Sequence, residues 1–344
     1  MFHTLFSAAD TLVSWLQTEI FTTLVEPLFY KIGLMDYDED TYDALYWFII
    51  AIGEIGLMYL VLRPLEALWP AERWTDRRSV RVDALYTWIT RLGVINVLFF
   101  FFLQPLFDSA QGALRMHGIH NVDLDSLWPG MARQPLLSFL FYLLVLDFAG
   151  YWYHRWQHRF GWWWELHAVH HSQRQMSLWS DDRNHIADTF LEAGFFAAIA
   201  LLIGVQPSQF VLLLAASQVA QSVQHANTRV PFGPVLERLV VSPGFHRRHH
   251  AIGYGHEGIW YGCNFGVLFP WWDMLFRTVS WNRQIEPTGI RDQLDTPQGA
   301  GRNYGEGFWS QQWLGVGRSA HRVGLWLSGR GRRNDAERAG ADRR

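Results

Sequence analysis

The stretch HRWQHRFGWWWELHAVHH, residues 154–171, holds His154, His158, His167, His170 and His171. A later burst, HRRHH, adds His246, His249 and His250. The first pair stands at i, i+4, and each of the other two sets at i, i+3, i+4. On a helix these spacings place side chains on one face, a turn apart. Two imidazole nitrogens so placed reach one ion at about 2 Å each. Neutral imidazole suits iron, zinc, copper and nickel. Eight imidazoles exceed what one ion can hold, so the count predicts two ions. His185, in DDRNH, and His225, in QHAN, are further candidate ligands. His256, six residues past the last cluster, has a weaker claim. His3, His117, His120 and His321 are left out.

Elements that could position these histidines are long and apolar. Four segments qualify: Ala44–Leu62, Leu85–Phe107, Pro135–Tyr153, and a pair, TFLEAGFFAAIALLIGV and FVLLLAASQVAQSV, broken by QPSQ at Gln206–Gln209. A bilayer core of about 30 Å needs roughly 20 apolar helical residues. The first three meet that length, and the pair reads as a short hairpin. Arg73, Arg77, Arg78 and Arg81 crowd the loop between the first two segments, which predicts that this loop is cytoplasmic. The acidic stretch DYDED, and the loop with Asp108, Asp123 and Asp125, then face the other side, with His117 and His120. By this reckoning both histidine clusters meet at the cytoplasmic face. Residues 5–30 read as an amphipathic interfacial or short spanning helix. Trp309 and Trp313 mark a second surface-lying segment, and the Gly/Arg/Asp-rich chain from Ser328 reads as disordered.

Composition narrows the class. Aromatics make up 16% of the chain, with 19 Trp, as expected where rings straddle a lipid–water boundary. The net charge of -3 gives no global pull toward nucleic acid. One cysteine, Cys263, excludes an internal disulfide and any cysteine-only zinc or iron–sulfur site within the chain. There is no glycine-rich dinucleotide fingerprint, so electrons for redox chemistry must come from a separate donor.

The ordered set HRWQH, HAVHH and HRRHH resembles the fatty acid hydroxylase/sterol desaturase superfamily, whose pattern is HxxxH, HxxHH and a later HxxHH. LDFAGYWYHRWQHR, VPFGPVLERLVVSPGFHRRHH and YGCNFGVLFPWWDMLFRTV are similar to the stretches around those boxes. The resemblance covers roughly residues 135–280. It implies an all-α integral membrane helical bundle with a cytosolic histidine-box cap. It also implies two non-haem iron ions held by His154, His158, His167, His170, His171, His246, His249 and His250, with His185 and His225 as further ligands. The activity implied is hydroxylation or desaturation of a lipid C–H bond, such as a sterol or fatty acyl chain, using O2 and an external reductase. The chain then divides into membrane helices at 1–134, a catalytic domain at 135–280, and a C-terminal interfacial segment and tail at 281–344.

An all-imidazole shell carries no charge to offset its metals, so outer carboxylates are expected to orient the imidazole N–H groups. Asp147, two turns before His154, is the leading candidate. Asp181, Asp182, Glu165 and Asp273 are others. Trp162, Trp163 and Trp164 read as interfacial anchors or the wall of a lipid entrance. Arg247 and Arg248 read as solvated charge or a dock for an acidic electron carrier. A rival from another class is a histidine-rich membrane metal-binding or transport protein without redox catalysis.

Overall fold

Apolar runs without strand alternation become helices, and no strand occurs among the described residues. The structure is a computed structural model and describes residues 2–93, 104–118, 128–205, 207–258, 261–282, 284–297 and 299–328. Helix α1 (Phe2–Ile20) continues through a π-helical turn into α2 (Glu26–Ile32). It packs on α3 (Asp38–Leu68), where Phe21 meets Tyr42 edge-on at 5.1 Å. Two stretches are long and apolar enough to cross a membrane: Met35–Leu68, which contains α3, and Pro135–Arg159, which is α6. At about 1.5 Å per residue, α3 exceeds a bilayer core by several turns. The surplus packs inward: Met58 and Leu62 form a buried cluster with Leu178 and Ala226.

Asp76 caps α4 (Arg77–Arg91) by accepting the amides of Arg78 and Ser79. The expected span Leu85–Phe107 is only partly described. Its first turns belong to α4, where Tyr86, Thr87 and Arg91 are buried against the histidine-bearing region. Residues 94–103 lie outside the described set, and α5 (Gln104–Met116) follows. The head of this segment is therefore held by polar tertiary contacts that its apolar composition did not announce. The arginine-rich loop touches the same region: Gln175 Oε1 accepts the Asp76 amide at 3.0 Å, and Arg247 pairs with Glu72 at 2.7 Å.

Proline opens α6, where its missing amide hydrogen costs nothing. Extended backbone at Phe160 breaks the helix, and α7 (Gly161–His171) departs in a new direction. Helix α8 (Ile186–Leu202) and α9 (Pro207–His225) form the short apolar pair, turning at Gly204 (φ 70°). Tyr142, Leu146 and Leu213 join this pair to α6. Two short helices follow, α10 (Gly233–Leu239) and α11 (Pro243–His249), the latter capped by Ser242. After α12 (Trp271–Phe276), α13 (Phe308–Leu327) lies along α7. The expected disordered tail falls on 329–344, outside the described residues.

Arg91 ties this framework together. Its buried guanidinium donates to Asp182 at 2.7 Å, Asp181 at 3.0 Å, Glu54 of α3 at 2.8 Å and Ser222 of α9 at 2.7 Å. Breaking a buried ion pair by removing one partner costs about 3–5 kcal/mol. Arg91→Ala should therefore lower the thermal unfolding midpoint of the detergent-solubilised protein by many degrees. Arg91→Lys, which keeps the charge but loses the fork, should fall between. An unchanged midpoint in Arg91→Ala would contradict this assignment.

Candidate metal centre

Nine histidines gather into two buried groups. His154, His158, His167, His171 and His249 form one, and His170, His225, His246 and His250 the other. Within each group the ligand atoms lie within 4.8 Å of one another. Helical geometry explains the sorting. Residue i+4 lies about 40° ahead of i around the axis, and i+3 about 60° behind. An HxxHH box therefore straddles two directions. On α7, His167 and His171 serve the first group and His170 the second. On α11 the roles reverse: His249 serves the first group, His246 and the flanking His250 the second. The two boxes thus exchange one histidine each, while each i, i+4 pair stays within one group.

Backbone carbonyls fix the tautomers. The Nδ1–H groups of His158, His249 and His154 donate to the carbonyls of Tyr261 (3.1 Å), Cys263 (2.7 Å) and Phe265 (3.0 Å). Alternate residues of one segment, YGCNF, thus hold three imidazoles with Nε2 lone pairs directed inward. Tyr261 (φ 61°) and Asn264 (φ 57°) take left-handed backbone to do so. The segment is pinned in turn. Asp273 accepts the amides of Phe265 and Gly266, and Asn264 donates to the Phe245 carbonyl. Asp147 accepts the amides of Leu268 and Phe269 and the Trp272 indole. Asp147 therefore holds the loop behind the ligands rather than an imidazole.

The carboxylates that do face imidazoles lie elsewhere. Asp188 sits 3.4 Å from His167 Nδ1 and also accepts from Trp163, Gln157 and Tyr153. Asp181 sits 3.5 Å from His225 Nδ1, whose proton goes to the Gln221 carbonyl at 2.8 Å. Asp188 carried no sequence signal beyond its position one turn into α8. Glu165 is buried against Arg302 and Arg322, so it braces α7 on α13.

In the second group three close contacts link four Nε2 atoms: His225 to His170 at 3.1 Å, His246 to His225 at 2.9 Å, and His250 to His246 at 3.1 Å. A ring nitrogen offers one proton or one lone pair, so these contacts cannot all be good hydrogen bonds. Four nitrogens at about 2 Å from one tetrahedral ion would stand roughly 3.3 Å apart, close to what is seen. In the first group both nitrogens of His167 and His171, and Nε2 of His158 and His249, are buried without a hydrogen-bond partner. Burial and neighbouring imidazoles hold His170, His171, His246, His249 and His250 well below 6.5, so they are neutral donors at pH 7. This donor set fits transition-metal ions.

His185 stands outside both groups. Its Nε2–H donates to the Gln312 carbonyl at 2.8 Å, and its Nδ1 accepts the Ala187 amide at 3.0 Å, capping α8. His256 also stands outside them, and burial pushes it down to about 4. Trp164 lies against His158 and His171 at 5.1 and 5.4 Å, so it lines the site instead of anchoring at an interface. Arg247 and Arg248 are buried and paired with Glu72 and Glu286, not solvated. Burial raises the Cys263 thiol to about 12, which keeps it protonated and a poor ligand.

Fold and site together define a helical protein with two adjoining all-histidine groups, each able to hold a metal ion. Residues 139–278 match the fatty acid hydroxylase family model. An ornithine lipid hydroxylase of Rhizobium tropici is 27% identical over 239 residues, 68% of this chain and 67% of the relative. An alkylglycerol monooxygenase of Danio rerio is 30% identical over 137 residues, 40% of this chain and 29% of the relative. A Delta(7)-sterol 5(6)-desaturase of Gibberella zeae is 25% identical over 179 residues, 50% of this chain and 51% of the relative. The chain thus spans under a third of the monooxygenase and about half of the desaturase. No solved structure matches. The chain is thus similar, over residues 139–278, to the fatty acid hydroxylase family, and its relatives include lipid hydroxylases, monooxygenases and desaturases.

Proposed function

We propose that the protein is a membrane oxidoreductase that hydroxylates or desaturates a lipid C–H bond, with O2 as oxidant and iron in both histidine groups. The observation that carries this reading is the division of nine buried histidines into two adjoining groups with inward nitrogens. The similar lipid hydroxylase, monooxygenase and desaturase favour it over metal transport. When bound, paired irons supply the O2-activating redox chemistry that an unactivated C–H bond requires.

The chain's own residues perform the remaining tasks. His154, His158, His167, His171 and His249 would hold one ion, and His170, His225, His246 and His250 the other. The Tyr261–Phe265 carbonyls and Asp188 keep the imidazoles aimed. Trp164 and Phe265 close apolar faces against the first group and keep water from it. Electrons come from an external donor.

Metal analysis tests the reading. Purified full-length protein should carry close to two irons per chain that resist gel filtration. Loosely held, exchangeable zinc or nickel would favour storage or transport instead.

A second expectation concerns orientation: the histidine groups face the cytoplasm. In a Cys263→Ser background, single cysteines can replace two exposed residues, Met116 and Glu306. An impermeant thiol reagent applied outside intact cells should label position 116 and spare 306. Labelling of 306 would reverse the topology.

A further inference from the structure

Buried imidazole nitrogens separate the histidines into two kinds. His185 has both nitrogens hydrogen-bonded to protein. His256, like His171, has both nitrogens buried without a hydrogen-bond partner. Leaving a buried polar group unsatisfied is costly, so such atoms call for an explanation. The ring of His256 stacks on Trp164 at 5.2 Å and 28°, and lies 5.5 Å from the ring of His171. Its loop is pressed onto α11: a Cβ at Gly255 would fall 1.5 Å from the His249 carbonyl oxygen. It is also pressed onto the carbonyl-bearing segment, since a Cβ at Gly262 would fall 2.2 Å from the Gly255 oxygen. Glycine at both positions therefore lets the loop bring His256 beside His171 of the first group. An ion pair, Arg291 with Glu257, anchors the next residue.

We infer that His256 is a sixth imidazole of the five-histidine group, held a ring-width outside it by the Trp164 stack. It sits on a loop and not on a helix, so side-chain torsions alone separate its outer from an inner position. The first group would then differ from the second in having a ligand that can leave, which is how an open position arises at an otherwise crowded ion. This inference rests on the metal-centre reading above.

Cobalt(II) in place of iron tests it without turnover. Full-length protein is purified in detergent and loaded with the ion, then followed by metal count, visible spectrum and release to a chelator. His256→Ala and His256→Phe are compared with wild type. Both should retain two ions per chain, change the visible bands of one, and release that ion at least about 10-fold faster. His256→Phe preserves the stack on Trp164 but has no nitrogen, so a merely structural role predicts wild-type bands and release in that variant. That result would overturn the inference while leaving the metal centre intact. Imidazole added to His256→Ala should restore the wild-type bands, and failure to do so would count against direct binding. Wild-type protein that binds no cobalt and no iron would instead remove the metal-centre reading, and His256 with it.

Discussion

Replacing His249 with alanine is expected to strip the first group of its ion and abolish lipid oxidation, while the protein still inserts and folds. His249 comes from α11, yet its ring lies 4.4 Å from that of His154 on α6 and 4.7 Å from that of His171 on α7. It therefore joins three helices in one histidine group. His170→Ala should do the same to the second group, which would be left with three imidazoles. The loss should exceed the roughly 10- to 100-fold that follows removal of an outer-sphere partner. His117→Ala should leave metal and activity unchanged, since that residue is exposed and remote in sequence from both boxes. His185→Ala is the sharper contrast. It should lower stability by about 0.5–2 kcal/mol through loss of the α8 cap, and leave both ions in place. Metal counts and unfolding midpoints measured on the same preparations decide among these outcomes. Metal loss in His185→Ala equal to that in His249→Ala would refute the assignment of ligands by free nitrogens.

Oxidation should stop completely without O2 or without a reductant. In hydroxylation one oxygen atom enters the C–H bond and the other leaves as water, which consumes two electrons and two protons. Desaturation reduces both oxygen atoms to water and removes a pair of hydrogens from the lipid, with the same external electrons. The lone thiol cannot supply them, since it is kept protonated and one cysteine cannot cycle as an internal disulfide. Purified protein should thus be inert on lipid alone and active once a reductase system and O2 are added. Isotopically heavy O2 should label a hydroxylated product, whereas heavy water should not. Product formed anaerobically, or labelled only from water, would exclude the oxygenase reading and point to a hydrolase. Candidate lipids begin with classes that the similar proteins are named for, ornithine lipids, alkylglycerols and sterols.

Eight of the nine histidines that gather were legible from spacing, because imidazoles at i, i+3 and i+4 share one side of a helix. His225 was nameable from its place at the end of an apolar segment. The long runs around Ile55 and Leu146 declared helices for the same reason: unbroken apolar sequence without period-two alternation has no half-buried strand to form. Which histidine serves which ion was not legible. That depends on how α7 and α11 approach one another, a relation between segments separated by the α8–α9 pair. Sequence ranked His185 above His256, with no knowledge of what their nitrogens meet. Each is a lone histidine near the boxes, and only tertiary contacts show the first spending both nitrogens on Gln312 and Ala187 while the second keeps both bare. Asp147 and Asp188 teach the same lesson. Sequence proximity favoured Asp147 because it precedes His154 on the same helix, yet its carboxylate turns to the amides of Leu268 and Phe269. Asp188, far along the chain from His167, reaches it because α8 folds back beside α7. Local spacing determines which side chains share a helix face, since the helix repeat is short-range. The partners of a buried polar atom are set by whichever distant segments exclude water from it, and only the packed chain decides that.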